Sequence, residues 1–126
     1  MTMPNERFRS LRWAHELLAE IDSDPEVSED LRARARSLAV NFPTPDALLW
    51  LISSDAKRLP RPFAEAIELA HDLFLDIQLG ARGSSATRKS VLYTLRHYPP
   101  VGTAAGLAKG GFALGIESWV AKDTEK

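Results

Sequence analysis

The side chains with the greatest chemical potential are three histidines and two carboxylate pairs. His15 and His71 are each followed by an acid, Glu16 and Asp72. A helical metal site needs a second ligand three or four positions away on the same face. His15 has Leu11 and Leu18 at those distances, and His71 has only Glu68. Both therefore read as the polar edge of a core stripe or as helix–helix hydrogen bonders. Glu16 with Glu20, and Asp72 with Asp76, stand one turn apart. Two such helices could build a carboxylate site, but di-metal bundles also need Glu-x-x-His on each of two partner helices, and only one such string, Glu68-Leu69-Ala70-His71, occurs. The pairs read as a solvated acidic face. No Gly-x-Ser-x-Gly elbow occurs, and Gly106-Leu107-Ala108-Lys109-Gly110-Gly111 does not follow the order of a phosphate-binding P-loop. These residues predict no catalytic group, no metal ligand and no cofactor, and the chain is expected not to be an enzyme.

The charge layout is more specific. Residues 13–31 carry seven acids and no base, and residues 77–116 carry five bases (Arg82, Arg88, Lys89, Arg96, Lys109) and no acid. Arg32, Arg34 and Arg36 form a further basic cluster. One use of this pattern is a nucleic-acid backbone held by basic helices 28–42 and 84–98. The other is an acidic surface within the fold, on a second protomer or on another protein. The net charge of −1 and the weight of the acidic segment favour the second. Few aromatics interleave with the arginines, so stacking on single-stranded bases has little support.

Gly102, Gly106 and Gly110 are spaced by four, as are Gly111 and Gly115. On a helix they make a smooth strip that another backbone can approach closely. Each glycine also costs a helix about 1 kcal/mol relative to alanine, so an irregular segment is the alternative. The expected partner-binding surface is this strip, Gly106 and Gly110 with Phe112 and Trp119, flanked by Arg88, Lys89 and Arg96. Leucine at 106 and 110 is expected to abolish binding without unfolding the other helices.

The elements that must position these residues are helices. The chain has 126 residues, 44% hydrophobic and 26% charged, enough for one core. It has no cysteine, which excludes disulfides, thiol catalysis and cysteine metal sites. No leader pattern and no uncharged apolar span is found, so the cytoplasm is the expected location. Phe8, Leu11, Ala14, Leu18 and Ile21 predict a helix from Pro4 to about Asp22, with Trp13 and Leu17 widening its stripe. Asp24-Pro25 breaks it, and Ser28 caps a second helix carrying Leu31, Ala35, Leu38 and Phe42. Thr44-Pro45-Asp46 opens a short third helix, apolar all round and expected to be buried on most sides. Residues 53–59 read as a linker. Phe63, Ile67, Ala70, Phe74 and Ile77 mark the next helix, stopped by Gly80 and Gly83. Ser84 or Ser85 then caps a helix carrying Val91, Leu92, Leu95 and Tyr98. No segment alternates with the period of a strand.

The chain also resembles itself at an offset of 56 residues. Ala14-His15-Glu16-Leu17-Leu18 falls on Ala70-His71-Asp72-Leu73-Phe74, Ser28 on Ser84, and Phe42-Pro43 on Tyr98-Pro99. This predicts an all-α bundle of five or six helices in one domain, built from two related hairpins at 4–59 and 60–121 with a frayed tail at 122–126.

Pro4-Asn5-Glu6-Arg7 before a helix, and Arg96-His97-Tyr98-Pro99 at the end of another, resemble a family of short, uncharacterised bacterial helical proteins. Those open with Pro-x-Glu-Arg and close their second helix with Arg-His-Tyr-Pro. Here the start lies in the first repeat and the end in the second, where the first has Val40-Asn41-Phe42-Pro43. The resemblance implies a helical fold and no chemistry. The resulting expectation is a non-enzymatic cytoplasmic interaction or regulatory module that binds protein, possibly as a homo-oligomer. A nucleic-acid-binding regulator is the alternative.

Overall fold

The computed structural model describes residues 2–80 and 82–123. Those residues form six α-helices and one 3-10 turn, and no strand. The helices are α1 (Pro4–Ser23), α2 (Glu29–Ala39), α3 (Pro45–Ser53), α4 (Arg61–Leu79), α5 (Ser85–Leu95) and α6 (Thr103–Gly110), followed by the turn at Ile116–Ser118. Local chemistry sets most of these limits. The Ser28, Thr44 and Ser84 hydroxyls each accept a hydrogen bond from a backbone N–H in the first turn of α2, α3 and α5. Proline stands in the first turn of α1, α3 and α4, where its missing N–H costs nothing.

Helix α1 packs against both α2 and α5, and α4 packs against the same two. The four make a square, with α1 and α4 on one diagonal and α2 and α5 on the other. Phe74, Leu11, Leu17, Leu18, Ile67, Leu73 and Ile77 fill its centre and are fully buried. Helix α6 lies along α4, and α3 packs on α1.

The limits of α2, Glu29–Ala39, and of α5, Ser85–Leu95, differ by 56 residues at both ends. Tertiary contacts repeat at the same offset. Arg34 of α2 pairs with Asp76 of α4, and the residues 56 positions away from each, Ser90 of α5 and Glu20 of α1, are hydrogen-bonded. The His15 and Phe42 rings lie 6.4 Å apart, and the His71 and Tyr98 rings 5.6 Å apart.

Several details depart from expectation. Trp50 on α3 is 66% exposed, because α3 buries only one side, that of Leu48 and Leu51. Val91 on α5 and Tyr98 beyond its end face the core, but Leu92 turns outward. The 53–59 segment is no simple linker: Leu59 is buried and its N–H donates to the Leu107 carbonyl. Nor does the tail fray at Lys122. Asp123 is buried and accepts two hydrogen bonds from Arg9, at 2.8 and 3.1 Å, with Arg12 3.7 Å away. Residues 124–126 lie outside the described residues. Among the described residues, no helix is long and apolar enough to cross a membrane.

Candidate interaction face

Helix α5 runs antiparallel to α1, and a ladder of polar contacts fixes their register. The Asp24 carboxylate accepts from the Ser84 N–H at 2.9 Å. Next, the Ser90 hydroxyl meets Glu20, and the Ser10 hydroxyl donates to the Thr94 carbonyl at 2.7 Å. At the far end His97 Nε2 lies 3.2 Å from Glu6 Oε2, and its Nδ1 lies 3.1 Å from the Thr2 hydroxyl. Residues 4–7, which open α1, and residues 96–99, which follow α5, thus meet in space. The Met3 N–H holds the Glu6 carboxyl below the usual range.

The Pro-x-Glu-Arg arginine turns the other way. Arg7 donates to the Trp119 carbonyl, and its guanidinium lies 5.8 Å from the centre of the Trp119 ring. Burial pulls the Arg7 pKa down. Tyr98 is buried and donates to the Ile67 carbonyl at 2.7 Å, and burial pushes its phenol well up.

The expected partner-binding residues do not form one surface. Trp119 is only 6% exposed, a core side chain beneath the start of α1 with Phe112 half-buried against it. Gly106 and Gly110 lie on α6, which packs on α4 through Ala104, Leu107 and Ala108, so the glycines face open space and no backbone lies against them. Arg88, Lys89 and Arg96 are on α5 and exposed, as expected. None of the three forms an ion pair with another described residue. The α2 cluster is committed differently: Arg32 pairs with Glu29, Arg34 with Asp76, and Arg36 with Asp22 and Glu29. Asp22 holds the Arg36 pKa up. The two basic helices also occupy opposite corners of the bundle, so their bases do not combine.

A cleft of about 220 Å³ lies between α1 and α5. Trp13, 36% exposed, and Tyr93, 50% exposed, form its walls. Leu17 and Thr94 form the floor, and Glu16, Glu20 and Ser90 close one end. Neither glutamate has a cation within ion-pair distance among the described residues. The Arg96 guanidinium lies 5.8 Å from the Tyr93 ring centre, and Leu92 on α5 is 55% exposed. Sequence reasoning placed Trp13 and Leu92 in the core and the two glutamates in solvent. The available signal was on α5, where Leu92 and Tyr93 stand between the bases Lys89 and Arg96.

The groups with catalytic potential are dispersed. Glu68 accepts from the N–H groups of Gly102 and Ala105 at the start of α6, His71 stacks on Tyr98, and His97 faces Glu6. No group of three or more His, Asp or Glu side chains able to hold a metal exists among the described residues.

The fold and this face define an all-α bundle with a half-apolar, unpaired helix surface. The chain matches no family model, no curated protein and no solved structure.

Proposed function

We propose that this chain is a non-enzymatic protein-binding module and that it binds through the α1–α5 face. One observation carries the reading. Two large side chains, Leu92 and Tyr93, stand outward on α5, Tyr93 lining a cleft with Trp13, and Arg88, Lys89 and Arg96 form no ion pair with another described residue. Aromatic residues and arginine are the types enriched where proteins meet, and an apolar centre with a charged rim is the usual layout. Phosphate binding has less support, because of the two basic helices α2 has its arginines paired with acids.

The test is a photo-crosslinking amino acid at position 93 of the full chain, in the cell that makes it. A protein adduct from position 93, absent when the same group replaces the exposed Leu114 far from the face, supports the reading. Adducts to nucleic acid alone, or none, overturn it.

The proposal has a second part, that the two halves are copies of one helical hairpin. The coincident limits of α2 and α5, the paired positions 34–76 and 90–20, and the paired rings support it. In the bundle each half packs on the other through equivalent helices.

A further inference from the structure

The comparison of positions 56 residues apart exposes one unmatched group. At the α2–α4 contact, Asp76 receives Arg34 at 2.8 Å. At the α5–α1 contact the acid is kept as Glu20, but the base position holds Ser90, which supplies only a hydroxyl at 3.1 Å. Glu20 is half-buried at the closed end of the cleft with Glu16 beside it, and the walls are aromatic faces that attract cations. The site has the form of a cation receptor whose own cation is missing.

We propose that a second copy of this chain supplies it: the α1–α5 face docks on itself about a two-fold axis, and Arg96 of each copy enters the other's cleft. This rests on the protein-binding reading above and names the partner. The register of α5 carries the geometry. Arg96 lies three residues beyond Tyr93, about 4.5 Å along the helix at 1.5 Å per residue. A two-fold axis lying in the plane of the face, perpendicular to α5 and passing beside Tyr93, turns the second face onto the first and brings its Arg96 the same distance to the other side of Tyr93. That is the level of Ser90, which faces Glu20. The same rotation carries Lys89, four residues before Tyr93, to the level of His97, which faces Glu6. Two of the three free bases, Arg96 and Lys89, thus come level with the contacts made by Glu20 and Glu6, while the Tyr93 side chains of the two copies meet at the axis beside Trp13. A face of this kind is self-complementary, as an isologous dimer requires. It is also consistent with the run of acids on the C-terminal half of α1 and the bases on α5.

Sedimentation velocity of the full chain over a concentration series tests this, with circular dichroism to confirm folding of each variant. The wild-type chain is expected to show a reversible dimer. Arg96→Glu, exposed and distant from the core, is expected to weaken it at least about tenfold, or 1.4 kcal/mol. Glu16→Arg is expected to do the same, and combining the two changes in one chain should restore association by exchanging the charges. Ser90→Arg places a cation of the chain's own beside Glu20, as at Arg34–Asp76, and should also weaken the dimer. A monomer at every concentration overturns the proposal, as does a dimer indifferent to Arg96→Glu and Ser90→Arg. The crosslink at position 93 separates the two levels of inference. Adducts only to a different protein overturn self-docking and leave the protein-binding reading standing, whereas no protein adduct removes both.

Discussion

At the scale of single residues, Asp24 shows how one carboxylate ties the two halves together. It follows α1, yet it accepts hydrogen bonds from the N–H of Ser84 at the start of α5 and from that of Glu26, both at 2.9 Å. The Ser84 N–H is the largest cause that lowers its pKa from 3.8 to about 2. A depressed carboxylate stabilises the fold fully above its unfolded pKa, and that contribution disappears as pH falls through the folded value. The window is therefore about pH 4 to 2, and the shift corresponds to about 2 kcal/mol. Asp24→Asn should flatten acid unfolding across that window; superimposable unfolding curves for the two proteins would contradict the assignment. Asp123 makes a similar case at the other end of the chain. Its side chain is fully buried against Arg9. Removing one partner of such a pair strands the other, so Asp123→Ala should cost about 3 kcal/mol in denaturant unfolding. A loss below about 1 kcal/mol would mark the pair as an ordinary surface contact.

At the scale of elements, caps and breakers were plain in the sequence. Ser28, Thr44 and Ser84 act as read, and Asp24-Pro25 and Gly80 end helices where expected. These signals are local, since a hydroxyl one position before a helix acts on N–H groups a few ångströms away. The glycines were the opposite case. Their spacing was legible but their surroundings were not, because close approach of another backbone is a tertiary fact. Gly106 sits mid-helix with open space around it, so Gly106→Ala should stabilise the protein by about 0.5–1 kcal/mol. Gly111 has a φ of +79°, and an added Cβ would stand 2.7 Å from the Lys57 carbonyl oxygen. Gly111→Ala should therefore destabilise it. Thermal melts of the two variants shifting in the same direction would show that the two environments are wrongly distinguished.

At the scale of the whole molecule, charge is spent in two ways. The arginines of α2 close the bundle against Asp22, Glu29 and Asp76, whereas those of α5 stay free. Added salt should thus leave the fold almost unaffected, since exposed pairs contribute little, while it weakens association through α5. Measuring the dimer constant and the melting temperature across one ionic-strength series checks both halves of that statement. An association that strengthens with salt would point to the apolar centre alone.

The all-helical class, the helix limits and most of the core are written in the sequence, because a period of 3.6 residues and a cap are properties of neighbours along the chain. Phe8, Leu11, Ala14 and Ile21 could be assigned to the interior before any partner helix was known. The same periodicity left Trp13 and Leu92 on the wrong side, since both lie at the edge of a stripe, where the position of the adjoining helix decides between burial and exposure. Only the tertiary arrangement set α2 and α5 on opposite corners, buried Trp119 under Arg7, and brought Glu6 to His97. Those outcomes depend on contacts between residues as many as 112 positions apart, which no local pattern encodes.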